Sequence, residues 1–142
     1  MLVRLMYASR AVPAVDQEEL LAILKQSKAN NTRSGVTGAL CLCSTERIFI
    51  QVLEGGREAV NVLYRRILAD TRHTDPVLLH YAEIDERRFA GWSMGQVNMQ
   101  RLNPALLLKY SESARLDPYA VSGKATVALF EELVATAAIM GQ

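Results

Sequence analysis

With 142 residues, 50% of them hydrophobic and 22% charged, the chain has the length and composition of a single folded domain rather than of a disordered segment. Sixteen basic and 15 acidic residues leave a formal net charge of +1, which provides no long-range attraction to a nucleic acid or an anionic membrane surface. Because no apolar run approaches the roughly 18 residues of a membrane span and the first residues do not resemble a signal peptide, we expect a cytoplasmic protein with neither nucleic acid nor membrane as a partner.

The first predicted element is a strand over residues 2–9, in which the side chains alternate between two faces. Tyr7 stands near its carboxyl end as a polar group on an apolar face. A ring packed on the sheet, with a hydroxyl that reaches solvent at the edge, would explain this tyrosine without any function. Pro13 follows and ends the strand.

A helix is predicted next, because Asp16 and Glu19 have the spacing of a capping box. One face of this helix is made of Leu20, Ile23, Leu24 and Ser27. Asn30 and Asn31 stand at its end. Asparagine tolerates the left-handed conformation that ends helices, so one of the two can be a cap, which leaves the second amide for another use.

The two strands that follow, over residues 36–43 and 47–54, form a predicted hairpin. Cys41 and Cys43 in the first of them have neither a metal-binding nor a Cys-x-x-Cys redox spacing, so we expect buried thiols and no metal site. Gln51 is the exception in the second strand, because the other residues around it on both faces are apolar.

A buried amide such as that of Gln51 needs partners, since leaving it without one costs about 1–3 kcal/mol. A backbone carbonyl or a water molecule would satisfy it, as is usual for buried side chains. The polar edge of a cofactor would satisfy it as well. The residue pattern alone leaves both possibilities open.

A second helix is predicted over residues 57–69, with an inner side made of Val60, Leu63, Tyr64 and Ile67. Arg66 near its end is an ordinary complement to the helix dipole. With Asp70, Arg72 and His73 close behind, the same end of the helix also offers donors that would suit a phosphate group.

Two more strands are predicted after Pro76, over residues 77–84 and 89–97. Trp92 and Met94 are expected to share one face of the last strand. Either residue would be an ordinary member of a hydrophobic core there.

The tail is predicted to form two helices, over residues 105–110 and 120–140, the second with an apolar stripe of Val127, Phe130, Leu133, Val134 and Ala137. The resulting order predicts an α+β fold, a ferredoxin-like βαββαββ plait with the first two helices on one sheet face and the two C-terminal helices on the other. Helices on both faces explain why the strands are apolar on both sides.

Five separated segments together resemble the BLUF domain, the flavin-binding blue-light sensor of bacteria. In the family's order they are LVRLMYASR around Tyr7, NNTRSGVTGAL after residue 29, FIQVLEG around Gln51, DTRH at residues 70–73, and FAGWSM at residues 89–94. The resemblance implies a flavin-binding domain over residues 1–98 and a helical extension over residues 99–142 that packs on the sheet. The hairpin turn at residues 44–47 departs from the family because it lacks the usual glycine, which we expect to affect only the surface.

The resemblance implies a flavin held between the two predicted helices, with FAD favoured over FMN or riboflavin. Asn30 and Asn31 would hold the pyrimidine edge, and Gln51 would lie between the flavin and the hydroxyl of Tyr7. The ribityl chain and phosphate would meet the polar end of the second helix. The full set of implied contacts is Tyr7, Ile23, Ser27, Asn30, Asn31, Gln51, Arg66, Ile67, Asp70, Arg72 and His73.

In this family, light drives an electron from tyrosine to flavin, a proton follows through glutamine, and the rearranged glutamine shifts the absorption to longer wavelength. The resemblance therefore implies four photoactive residues, Tyr7, Gln51, Trp92 and Met94. It implies that the rearranged Gln51 changes its contacts to Trp92 or Met94 and thereby alters the last strand and the tail helices. It implies an unidentified downstream protein or a homo-oligomer as the reader of the signal, and no catalysis by the chain itself.

Three other functions compete with this interpretation. A small hydrolase would need a nucleophile with a base, and neither His73 nor His80 stands in a stretch with a matching serine or cysteine. An interaction module without a cofactor would have Tyr7 and Gln51 merely satisfy each other. A flavoenzyme would need a substrate channel. Purified protein that is yellow would exclude the first two.

Overall fold

The computed structural model describes residues 1–43, 46–98, 102–136 and 138–141. In this part of the chain, the strands are β1 (Leu2–Ala11), β2 (Thr37–Cys43), β3 (Ile48–Gly56), β4 (His73–Ile84), β5 (Gly95–Val97) and β6 (Ile139–Met140). The helices are α1 (Gln17–Ser34), α2 (Arg57–Ala69), α3 (Pro104–Tyr110) and α4 (Gly123–Ala135). None of these helices is long and apolar enough to cross a membrane.

The strands form one sheet in the order β4-β1-β3-β2-β5-β6. Strand β1 pairs antiparallel with both β3 and β4, and β2 pairs antiparallel with β3. Strand β5 then adds parallel to β2, and β6 adds antiparallel to β5. The first four strands have the order of a ferredoxin-like plait, which confirms the predicted α+β fold.

Two separate hydrophobic cores lie on the two faces of the sheet, as the apolar strands predicted. The cavity-side core packs under α1 and α2 and includes Val3, Leu5, Tyr7, Leu20, Leu24, Phe49, Leu53, Val60 and Met94. The tail-side core packs under α3 and α4 and includes Met6, Ile50, Val52, Phe89, Trp92, Leu107, Phe130 and Leu133. Cys41 and Cys43 are buried in the tail-side core, as expected.

Helix α1 begins as predicted but ends later. The Oδ1 atom of Asp16 accepts a hydrogen bond from the backbone N–H of Glu19 at 2.8 Å, which caps the first turn. The helix continues to Ser34 and ends at Gly35, whose φ of 72° lies in the left-handed region that glycine adopts without strain. Neither Asn30 nor Asn31 is therefore the cap, and both project from the helix itself.

Strand β4 begins at His73, before Pro76 rather than after it. The prediction was wrong here because β4 is the outermost strand of the sheet, where a proline without an N–H is tolerated.

The strand predicted over residues 89–97 is reduced to the three residues of β5. The preceding segment is a turn in which the N–H of Trp92 donates to the carbonyl of Phe89 at 3.2 Å. Trp92 and Met94 consequently do not share a strand face: Trp92 packs in the tail-side core and Met94 in the cavity-side core. The expectation of a common face was wrong because both residues precede the regular strand.

The helix predicted over residues 120–140 is also shorter, because α4 ends at Ala135 and Ile139 and Met140 form β6. Gly95 makes this pairing possible, since a Cβ there would lie 2.5 Å from Cγ2 of Ile139 and 2.9 Å from Cδ1 of Trp92. Ala137 of the predicted apolar stripe, and Ser44 and Thr45 of the hairpin turn, lie outside the described residues.

Candidate functional site

A cavity of about 240 Å³ lies between α1 and α2, above the centre of the sheet. Every residue that the sequence predicted as a flavin contact lines it: Tyr7, Ile23, Ser27, Asn30, Asn31, Gln51, Arg66, Ile67, Asp70, Arg72 and His73. The lining also includes Gln26, Leu40, Phe49 and Leu63, which were not predicted as contacts. The fold thus gathers side chains that are up to 66 residues apart in sequence around one cavity.

The floor of the cavity is formed by a hydrogen-bonded pair on adjacent strands. Tyr7 and Gln51 stand directly opposite each other in the antiparallel register of β1 and β3, so their side chains project from the same face. The hydroxyl of Tyr7 donates to Oε1 of Gln51 at 2.5 Å. Both residues are buried, with exposed fractions of 4% and 5%.

The other end of the Gln51 amide contacts Met94. Its Nε2 atom donates to the sulfur of Met94 at 3.4 Å, and Met94 is fully buried. The amide therefore has a phenol at its acceptor end and a thioether at its donor end. These two side chains, rather than a backbone carbonyl, are its partners in the structure.

Tyr7 is held in its neutral form. Burial raises the pKa of Tyr7 far above the ordinary value of about 10, and nearby Tyr64 and Asp70 raise it further. The ring of Tyr64 lies 5.5 Å from that of Tyr7, and the ring of His73 approaches edge-on at 6.4 Å. The phenol proton is thus present at neutral pH and directed at Gln51.

The two asparagines of α1 have different surroundings. Asn31 is 1% exposed, and its Nδ2 atom donates to the carbonyl of Ser93 at 2.8 Å. Asn30 is half-buried, and its Oδ1 atom accepts from Arg33 at 2.8 Å. Asn31 therefore also joins α1 to the segment that carries Met94.

The polar end of the cavity lies at the end of α2. The Nε atom of Arg72 donates to Asp70 at 3.0 Å, and this hydrogen bond holds the pKa of the Asp70 carboxyl below its usual value. His73 has Ser9 Oγ 2.7 Å from Nδ1 and the carbonyl of Ile67 2.6 Å from Nε2. Because a carbonyl can only accept, Nε2 carries a proton. Arg66 is exposed at the mouth of the cavity.

Either Trp92 or Met94 was expected to receive the change from Gln51, and the structure places only Met94 beside it. Met94 contacts Gln51, whereas Trp92 lies on the other side of the sheet with 8% of its surface exposed. The Nε1 atom of Trp92 is buried without a hydrogen-bond partner among the described residues. Trp92 therefore contacts the tail-side core and does not line the cavity.

Tyr64 and Leu63 are site residues whose roles the sequence did not reveal. Their spacing placed them on the inner side of the second helix, which is the available signal, but any core leucine or tyrosine has the same spacing. In the structure both are partly buried against the cavity-side core.

The cavity has the chemical character of a flavin site. Ile23 of α1 and Leu63 and Ile67 of α2 provide apolar walls, which suit an aromatic ring system. The lining also offers the amides of Asn30, Asn31 and Gln51 and the guanidinium groups of Arg66 and Arg72, which suit the polar edge of such a ring and a phosphate, respectively. No cluster of three His, Cys, Asp or Glu side chains that could hold a metal ion occurs in the described ranges.

Comparison with known proteins agrees with this character. The sequence profile of the family described as "BLUF: Sensors of blue-light using FAD" matches residues 2–95 of the chain. The chain belongs to the BLUF family. Within this family the conserved function is blue-light sensing with a flavin, and the match includes Tyr7, Gln51 and Met94.

BLUF relatives differ greatly in length. The photoactivated adenylate cyclase subunit beta of Euglena longa is 34% identical over 102 residues, which are 71% of this chain but 12% of that protein. The chain thus spans about an eighth of the length of this curated relative. In such homologues the BLUF domain is linked to an effector domain.

Two solved structures of similar length cover nearly the whole chain. BlrB, a BLUF protein in its dark state, has a TM-score of 0.78 and 33% identity, with 96% of each chain covered. The photo-activated state of BlsA has a TM-score of 0.82 and 29% identity, with 94% of this chain and 95% of BlsA covered. Coverage of this extent means that the structural likeness continues beyond residue 95 into the tail.

Proposed function

We propose that this chain is a blue-light photoreceptor whose photoactive pair is Tyr7 and Gln51, next to a noncovalently bound flavin in the cavity between α1 and α2. The observation that carries the proposal is the buried hydrogen bond from Tyr7 to Gln51 at the cavity floor, with Met94 at the other end of the amide. FAD is the flavin that we favour, since the family's description names it; FMN and riboflavin share the ring and are the alternatives.

Different lining residues are assigned to different parts of the flavin. Ile23 and Ile67 are positioned to pack on the ring, and Asn30, Asn31 and Gln51 to bond its polar edge. Arg66, Asp70, Arg72 and His73 are assigned to the ribityl chain and phosphate, with Ser27 beside the ring. When bound, the flavin supplies the absorption of blue light and an acceptor for one electron.

Tyr7 and Gln51 provide the proton chemistry. The phenol holds its proton in the dark because its pKa is raised. A phenol that loses an electron becomes a strong acid, so its proton moves along the existing hydrogen bond to Oε1 of Gln51. The amide stays neutral because Nε2 releases one of its own protons, which a bound flavin that holds the electron would accept. An amide exchanges donor and acceptor ends by rotation or tautomerisation without a change of volume. Of these two, rotation would turn the oxygen of Gln51 toward Met94, whose thioether has no proton to donate, whereas tautomerisation would leave that oxygen facing Tyr7. Rotation therefore breaks the contact with Met94, and Met94 is the first residue to respond.

The signal leaves the pocket through β5. Met94 directly precedes β5, which pairs with β6 of the tail, so we assign residues 1–98 to sensing and residues 99–142 to output. The reader is an unidentified downstream protein or a second copy of the chain, and the chain has no catalytic role of its own. A cytoplasmic location is part of this proposal; Cys41 and Cys43, which form no disulfide, are compatible with a reducing compartment.

The experiment is a light-minus-dark absorption spectrum of the purified chain. We expect a yellow protein whose flavin absorption shifts reversibly to longer wavelength under blue light. Gln51→Leu should keep the flavin and lose the shift, because leucine has neither donor nor acceptor. Gln26→Leu makes the same change on the exposed part of the lining and should keep both. An undiminished shift in Gln51→Leu, or a colourless wild-type protein, would contradict the proposal.

A cofactor-free interaction module is the second candidate. One observation favours it: Tyr7 and Gln51 satisfy each other, with Met94, without any third group. This candidate requires a colourless protein with no affinity for FAD, FMN or riboflavin, which the same purification and equilibrium dialysis measure.

A further inference from the structure

Glu54 is a fully buried carboxylate that the sensing chemistry does not use. It stands three residues after Gln51 on β3 and opposite Arg4 of β1, so its side chain points to the tail-side core, away from the cavity. Its Oε2 atom accepts from Nε of Arg4 at 2.8 Å. A buried carboxylate needs such pairing, because a buried charge without partners is strongly unfavourable.

Glu54 does more than balance Arg4. Its Oε1 atom accepts from the backbone N–H of Arg88 at 2.9 Å and from that of Phe89 at 2.7 Å. A carboxylate has two oxygens with about four acceptor positions. Here Oε1 accepts from both successive backbone amides, while Oε2 serves the ion pair with Arg4 and also accepts from the N–H of Arg88 at 3.1 Å. Glu54 thereby fixes the point at which the connection after β4 enters the tail-side core.

The segment held by Glu54 is the one that carries Met94. The carbonyl of Phe89 accepts from the N–H of Trp92 at 3.2 Å, and the carbonyl of Trp92 accepts from the N–H of Gly38 at 2.9 Å. The carbonyl of Ser93 accepts from Asn31 at 2.8 Å. The segment has few regular strand contacts, so these separate anchors determine where Met94 lies.

We propose that Glu54 is a positioning residue for Met94: by holding the backbone amides of Arg88 and Phe89, it sets the distance between the Met94 sulfur and the Gln51 amide. Glu54 and Gln51 lie on the same strand but on opposite faces, so β3 supports both ends of this contact. The effect on photochemistry rests on the proposed function, whereas the effect on the segment itself does not.

Glu54→Gln tests the inference, because glutamine has the same shape but replaces one acceptor oxygen with an NH2 group that opposes the amide donors. In the full chain as purified, without added flavin, we expect exchange of the Arg88 and Phe89 amides to accelerate by about tenfold or more, while the Ile50 and Val52 amides of β3 keep their protection. Trp92, the single tryptophan, reports the same segment. The constant for quenching of Trp92 fluorescence by acrylamide should rise by about twofold or more, because a loosened segment opens locally and admits the quencher.

Glu131→Gln is the matched control. Glu131 of α4 also faces Arg4, with 3.7 Å between its Oε1 and Nη1 of Arg4, but the carboxylate is partly exposed and holds no amide of the segment. It should leave both readouts at their wild-type values. Unchanged Arg88 and Phe89 exchange in Glu54→Gln would overturn the inference, and so would exchange that accelerates equally in β3, because Glu54 would then only stabilise the fold.

If Glu54→Gln does not fold, Glu54→Asp replaces it: the charge beside Arg4 is kept, but the side chain is one methylene short of the two amides. We expect the same local acceleration of exchange at Arg88 and Phe89, and wild-type exchange in this variant would overturn the inference. With flavin bound, the rate of dark recovery in the variant that folds should change by about threefold or more, because the distance between the Met94 sulfur and the Gln51 amide changes. Local loosening with an unchanged recovery rate would overturn the link to Met94 while leaving the proposed photoreceptor function intact.

Discussion

At the scale of single residues, the burial of Tyr7 has a consequence for stability at alkaline pH. The unfolded chain loses the Tyr7 proton above about pH 10, whereas the folded chain keeps it because the pKa is raised. The unfolded state then binds fewer protons, so stability falls as pH rises, by about 1.4 kcal/mol per pH unit, from about pH 10 up to the folded pKa. Below about pH 10 this residue contributes no pH dependence.

Tyr7→Phe removes this contribution to the pH dependence of stability, because phenylalanine has no ionisable proton. Urea unfolding between pH 9 and pH 11 should show a shallower decline in the free energy of unfolding for Tyr7→Phe than for the wild type. Tyr81→Phe, at an exposed position, is the matched control and should follow the wild type. Parallel pH profiles for wild type and Tyr7→Phe would show that the phenol ionises without unfolding.

The sequence predicted the polar residues of the pocket better than their mutual arrangement. Tyr7 and Gln51 stood out because each is polar among apolar strand neighbours, which is a local signal. Their direct opposition depends on the pairing of β1 with β3, which is a contact between distant parts of the chain. The position of Met94 could not be predicted for the same reason, since it depends on anchors from Gly38, Asn31 and Glu54.

At the scale of elements, the packing of α4 on β4 depends on Gly123. A Cβ at this position would lie 1.7 Å from the carbonyl oxygen of Leu79, a backbone atom that cannot rotate away. Gly123→Ala should therefore lower the free energy of unfolding by about 2–3 kcal/mol. The cost exceeds the gain of up to about 1 kcal/mol that alanine brings to a helix.

Gly56→Ala provides the comparison for Gly123→Ala in chemical denaturation. Gly56 caps α2 with a φ of −60°, and no atom lies within 4 Å of a Cβ built there. Its replacement should cost below about 1 kcal/mol, through a weaker cap. Equal losses in the two variants would mean that α4 is not tightly docked at its first turn.

Helix α2 was predicted at its observed bounds, whereas β6 was not predicted at all. Gly55 and Gly56 before α2 and the apolar stripe within it are local features that define a helix. Ile139 and Met140 form a strand only because β5 is there to pair with them and Gly95 leaves the space. The apolar spacing of residues 120–140 is compatible with a continuing helix, and no local feature of this stretch predicts that the helix ends at Ala135.

At the scale of the whole molecule, the tail packs against one face of the sheet. Leu107, Phe130 and Leu133 of the tail are buried against strand residues such as Met6 and Ile50. The family match ends at residue 95, but a chain that ended there would expose this face to water.

A chain truncated after Asn98 should consequently fail to form a stable monomer. The free energy of unfolding would fall by about 25 cal/mol for each Å² of apolar surface that the truncation exposes to water. The exposed apolar patch would also promote association. Size-exclusion chromatography and binding of anilinonaphthalene sulfonate compare the truncated chain with the full one. A monomeric truncated chain with a cooperative unfolding transition would refute this prediction.

The division of Met94 and Trp92 between two cores has a further consequence for how the molecule transmits a change. The two residues are separated by a single amino acid, yet Met94 is embedded in the cavity-side core and Trp92 beneath the C-terminal helices. Because Ser93 alone separates them, we expect a displacement of Met94 to change the surroundings of Trp92. The indole should therefore serve as an intrinsic fluorescent probe: the proposed movement of Met94 would change the Trp92 emission from beneath the tail, on the opposite face of the sheet.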